Sequence, residues 1–131
     1  MARQGSEHPT ELELAILKSL WQKAPQTVET VREALAAAGR QLTYSSVITM
    51  MNIMVRKKYL QRIKRGRAFE YEPLVEGQAV SRRMLNDLVN RVFDGSATAV
   101  LLELLETSDV GPDELVEIRR LINRKVRERG K

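Results

Sequence analysis

Between residues 43 and 71 the apolar residues change period, from a helical repeat to a strand-like alternation, and few folds accommodate that switch in so short a span. Val47, Met50, Met51, Met54 and Val55 recur at helical spacing, which predicts a helix over 44–58 with one buried stripe. Thr43 stands where an N-cap hydroxyl accepts a bond from the first free backbone N–H groups. On the other face Ser45, Thr49, Asn52 and Arg56 fall three or four apart, an exposed row of short hydrogen-bonding groups ending in a cation. Such groups can reach base edges in a major groove while flanking cations are held by phosphates.

A polar row opposite an apolar stripe is also what any surface helix shows, so the neighbourhood decides between the two readings. Arg56, Lys57, Lys58, Arg62, Lys64, Arg65 and Arg67 are seven cations in twelve residues without an acid. A merely solvated face mixes signs. Leu60 and Ile63 precede Lys64-Arg65-Gly66-Arg67, and Phe69 and Tyr71 follow it in alternation, which predicts a basic hairpin over 60–71.

The preceding residues read as support. Thr10-Glu11-Leu12-Glu13 is a capping box opening a helix whose core face is Leu14, Leu17, Leu20 and Trp21, and Ala24-Pro25 ends it. A second helix is expected from cap Thr27 to Ala38, burying Val28, Val31 and Leu35. Gly39 to Leu42 then leave only a tight link to the 44–58 helix. Helix, helix, helix, basic β-wing is a winged helix-turn-helix order. Residues 1–9, with the single histidine His8, read as a disordered tail.

Pro73 marks a boundary, so the expected domains are 1–74, binding DNA, and 75–131, a helical dimerisation module. Three further helices are expected, over 79–93, over 97–106 and from Pro112-Asp113-Glu114 onward. The middle one, with Val100, Leu101, Leu102, Leu104 and Leu105, is apolar almost all round and needs cover on more than one side. The last adds a stripe of Leu115, Ile118, Leu121 and Ile122. Three short helices cannot supply that cover, so an interlocked homodimer is expected, with Val100, Leu101, Leu104, Leu105 and the last helix's stripe in the dimer contact. The charge distribution agrees. Residues 1–74 hold 12 Lys and Arg against 7 Asp and Glu, whereas residues 75–131 hold 10 of each, which suits a polyanion partner for the first part and protein association for the second.

The chain has no cysteine, one histidine outside any plausible ligand spacing, no Gly-rich phosphate loop and no run of apolar residues long enough for a membrane span. We therefore expect a soluble cytoplasmic protein that is not an enzyme and uses no metal or cofactor.

In the order and spacing of its parts the chain resembles the penicillinase-repressor and methicillin-resistance-repressor family over nearly its whole length. The passages are Thr10-Glu11-Leu12-Glu13 through Trp21, Thr43-Tyr44-Ser45-Ser46-Val47 through Lys58, Gly66-Arg67-Ala68-Phe69-Glu70-Tyr71-Glu72-Pro73, Val92-Phe93-Asp94-Gly95-Ser96, and the helix from Leu115 to Asn123. The resemblance implies a mainly α protein, a homodimeric transcriptional repressor on a two-fold symmetric operator, in β-lactam-responsive regulation. It carries base-reading roles onto Thr43, Ser45, Ser46, Thr49 and Asn52, and phosphate contacts onto Arg56, Lys57, Lys64, Arg65 and Arg67. Where several relatives place an arginine on the reading helix this chain has Ile48 or Ile53, so its operator need not share the family consensus. The resemblance also implies a sensor-linked protease as partner. Staphylococcal relatives are cut between Asn and Phe, and the matching position here is Glu103-Leu104, a departure that leaves the mode of derepression open. The cysteine motif of the copper-responsive relatives is missing, which argues against direct copper sensing. A different class of function, a winged-helix adaptor for an acidic protein or RNA, would use the same cations.

Overall fold

The computed structural model describes residues 8–130. The expected tail therefore lies outside the described residues except at its end, where Pro9 is already buried. The chain divides into two compact units, Met1–Asn86 and Asp87–Lys131. The division falls inside a helix rather than at Pro73.

The first unit is built from α1 (Glu11–Gln22), β1 (Gln26–Thr27), α2 (Val28–Ala37), α3 (Tyr44–Arg56), β2 (Leu60–Arg65), β3 (Ala68–Pro73) and the opening turns of α4 (Gly77–Val92). Each of the first three helices starts where a threonine can cap it. The Thr10 hydroxyl accepts from the Glu13 N–H at 3.2 Å while the Glu13 carboxylate accepts from the Thr10 N–H at 2.8 Å, completing the expected capping box. Thr27 and Thr43 accept from the N–H groups of Thr30 and Ser46. Caps of this kind stabilise a helix by about 1 kcal/mol each.

The helices bury one stripe apiece against a shared core. Ile16, Leu17 and Leu20 of α1 meet Val28, Val31 and Leu35 of α2, Val47, Met51 and Met54 of α3, and Leu60 and Tyr71 of the sheet, none more than 4% exposed. Burying each such side chain stabilises the fold by roughly 1.5–3 kcal/mol. The α3 stripe is as expected, with Met50 and Val55 half-buried at its edges. In α1 the core position is Ile16 and not Leu14, which is half-buried. Trp21 is half-buried too. Its indole N–H donates to the Val75 carbonyl at 2.8 Å, and its ring lies so close to Gly77 that a Cβ there would sit 3.3 Å from it.

The sheet has strand order β1-β3-β2, all antiparallel. The two-residue strand β1 has no sequence signal of its own and exists by pairing Gln26 with Tyr71 and Thr27 with Glu70. In the hairpin Arg65 pairs with Ala68, so the turn is Gly66-Arg67, and Gly66 takes a φ of 62°. A positive φ at the first turn residue alone is the type II′ pattern that matches the twist of a two-stranded ribbon.

In the second unit, α5 (Ala97–Thr107) is capped by the Ser96 hydroxyl, which accepts from the Ala99 N–H at 3.0 Å. α6 (Pro112–Arg129) begins with proline in its first turn and two acids favourable to its dipole. Among the described residues α5 does not find the cover it needs, in keeping with the expectation that this chain alone cannot supply it. Val100 is 8% exposed, but Leu101, Leu102, Leu104 and Leu105 remain 43–60% exposed, and Leu115, Leu121 and Ile122 of α6 are exposed to a similar degree.

Candidate nucleic-acid interface

The apolar stripe of α3 turns its opposite face outward, and the expected base-reading residues are distributed unevenly on it. Ser45 and Thr49 are exposed, and among the described residues neither side chain is hydrogen-bonded to the protein. Their hydroxyls are available to donate or accept. Thr43 and Ser46 are exposed as well but are tied to each other: Thr43 accepts from the Ser46 N–H at 3.1 Å and donates to the Ser46 Oγ at 3.0 Å. Thr43 is therefore first a cap, while the Ser46 hydroxyl keeps its proton to donate.

Asn52 differs from the other four. It is half-buried, and its side-chain carbonyl accepts from the Tyr71 hydroxyl at 2.9 Å. Tyr71 is 1% exposed and burial raises its pKa, an effect that the neighbouring Arg62 partly offsets. The phenol thus stays protonated and keeps donating. This bond fastens α3 to β3, so Asn52 holds the helix in register with the wing and has only its NH2 group left to reach outward.

The cations also separate into two sets. Lys57, expected on phosphate, places its ammonium 2.8 Å from the Glu13 carboxylate, which is 1% exposed. Glu13 thus closes the cap of α1 and receives the cap residue of α3. Arg65 pairs with Glu70 across the hairpin at 3.3 Å. Arg62 stacks over the Phe69 ring at 4.2 Å from its centroid. Arg56, Lys64 and Arg67 are exposed and form no ion pair among the described residues. Lys58, exposed at a φ of 70° just beyond α3, joins them. Sequence reasoning passed over Tyr44, which is 49% exposed in the first turn of α3. Its place directly after the Thr43 cap, in the first turn of the helix, was the available signal.

This arrangement can grip a polyanion. A helix end bearing free hydroxyls lies in the same unit as a hairpin with unpaired cations at Arg67 in its turn and Lys64 just before it. No group of residues suited to a metal ion occurs among the described residues, and none of their helices is long and apolar enough to cross a membrane. Glu103 and Leu104 lie inside α5, with the Glu103 carbonyl accepting from the Thr107 hydroxyl at 2.8 Å.

A family model described as penicillinase repressor matches residues 9–124. Over 115 residues the chain is 36% identical to the transcriptional regulator BlaI of Mycobacterium tuberculosis, covering 86% of this chain and 80% of that one. It is 23% identical to the methicillin resistance regulatory protein MecI of Mammaliicoccus sciuri, covering 86% of this chain and 91% of that one. Among solved structures, a MarR family protein from Bacillus stearothermophilus superimposes with a TM-score of 0.51 at 18% identity, covering 93% of this chain and 76% of that one. A MarR mutant from E. coli, complexed with operator DNA, gives a TM-score of 0.50 at 17% identity, over 89% of this chain and 75% of that one. At such identities the likeness shows the fold alone, a winged helix.

Proposed function

The chain belongs to the penicillinase repressor family of transcriptional regulators, and from that premise we propose that it is a homodimeric repressor of a two-fold symmetric operator. The curated relatives carry the names of regulators and repressors, not of enzymes. The observation that carries the reading is the contrast on α3: a sealed apolar stripe on one face, and free Ser45 and Thr49 hydroxyls on the other. In this reading Ser45, Ser46 and Thr49 read bases, helped by the NH2 group of Asn52. Arg56, Lys64 and Arg67 hold phosphates, with Lys57 and Arg65 contributing only when released from their acids.

Two copies are required for a physical reason. One head with few phosphate contacts binds weakly, and joining two across a dyad raises affinity without any new contact. The second unit offers the means. Leu101, Ile118, Leu121, Ile122 and Val126 line an apolar cleft of about 660 Å³ that none of the described residues fills. We take residues 1–74 as the DNA-binding part and 75–131 as the dimerising part.

The test is footprinting on the DNA beside the protein's own gene, where a protected dyad is expected, and where equal binding to any polyanion would sink the reading. On the footprinted duplex, Thr49→Ala should change base preference. Lys64→Ala should weaken all sequences alike and reduce the log–log salt slope by about 0.9.

A further inference from the structure

At the base of the wing a cavity of about 290 Å³ opens inside the first unit. It is near the lower end of the roughly 300–1,000 Å³ typical of ligand pockets, so it suits a small molecule. Its apolar wall comes from Pro9, Leu74, Val75, Ala79 and Val80. Its polar groups are the Tyr59 phenol, His8, and Arg83 and Glu76 of the α4 segment. Arg83 and Glu76 are exposed and enter no ion pair among the described residues, so the charge of Arg83 is free to meet a ligand. Tyr59 has its pKa raised by burial and by the Glu13 carboxylate, against the opposing pull of Lys57 and Arg83. It therefore remains a hydrogen-bond donor. Guanidinium and phenol on an apolar wall match a carboxylate on an apolar body, opposed among the described lining residues by Glu76 and, through its effect on Tyr59, by Glu13.

The position of the cavity bears on its use. Tyr59 lies between α3 and β2, and its carbonyl accepts from the Leu74 N–H at 2.8 Å. Val75, whose carbonyl binds Trp21, leads directly into α4. A molecule seated there would touch both the root of the wing and the first turns of the helix that leaves it.

We propose that this cavity binds a small organic anion with an apolar body and one carboxylate, and that its occupancy adjusts DNA binding. The second half rests on the repressor reading; the first does not. Both can be tested with benzoate and, as its uncharged counterpart, benzyl alcohol, titrated into the full chain without DNA. Calorimetry and the fluorescence of Trp21, the only tryptophan, read the binding.

Benzoate should saturate at one site per chain and bind at least about tenfold tighter than benzyl alcohol, the scale of one charge-assisted contact. Arg83→Gln should lose most of that preference, Glu76→Gln should strengthen benzoate binding, and Ala79→Phe should fill the space and abolish it with an unchanged circular dichroism spectrum. Absence of saturation, equal binding of the two probes, or unaltered binding by Ala79→Phe would overturn the site. Saturating benzoate should shift retention of the footprinted duplex severalfold in the unaltered chain and not in Ala79→Phe. No shift, with benzoate bound, would overturn the regulatory half alone.

Discussion

The two units of this protein treat leucine in opposite ways. In the first, Leu17, Leu20, Leu35 and Leu60 are at most 2% exposed and are closed over by three helices and a sheet from the same chain. In the second, Leu101, Leu102, Leu104, Leu105, Leu115 and Leu121 are 43–60% exposed, although α5 is the most apolar helix present. The first unit therefore closes over its core leucines, leaving Leu74 and Leu85 exposed at its margin, while the second leaves most of its leucines open. That difference supports the proposed division between a part that recognises and a part that associates.

The largest effect should come from charging the open face. Leu121→Glu in α6 is expected to break the proposed dimer and lower operator affinity by about 10²–10⁴-fold, leaving the first unit folded. Sedimentation velocity and gel retardation check it, and a variant that stays dimeric would break the comparison. Next in size is a pair of truncations read by denaturant unfolding. Leu17→Ala should cost about 2–5 kcal/mol at any protein concentration. Leu121→Ala should act through concentration, its loss appearing where the dimer forms and fading on dilution.

Smaller still, Lys57→Ala leaves the Glu13 carboxylate buried without its cation. The loss should be about 1–2 kcal/mol, since Lys57 is itself 37% exposed and part of the pairing is screened. An operator affinity that falls with stability unchanged would instead assign Lys57 to phosphate. Smallest is Tyr71→Phe, which removes the bond to Asn52 and should cost about 1 kcal/mol. It should also loosen the wing, seen as weaker protection at the flanks of the footprint, with the centre preserved.

Much of this was legible beforehand, for a reason that the residues make plain. Thr10 with Glu13, Thr27 with Thr30, Thr43 with Ser46 and Ser96 with Ala99 are three residues apart, so each cap is settled by its own neighbours. The stripe of Val47, Met51 and Met54, the basic hairpin and the surplus of leucine in α5 are likewise properties of short stretches. The candidate site was legible to the same degree. Ser45, Thr49, Arg56, Lys64 and Arg67 are on the surface because each ends in a hydroxyl or a charge that is costly to take out of water.

The sequence by itself thus determined the six helices and the hairpin of the described residues, where the capped helices begin, and that the rear helices carry more apolar surface than they can cover. Only the tertiary structure decided that β1 exists, that Ile16 and not Leu14 faces the core, that Asn52 is tied to Tyr71 and that Lys57 is tied to Glu13. The physical reason is separation along the chain. A cap or a period is fixed by groups within one turn of each other, but a partner 19 or 44 residues away is chosen by how whole elements pack, and no local pattern records that choice.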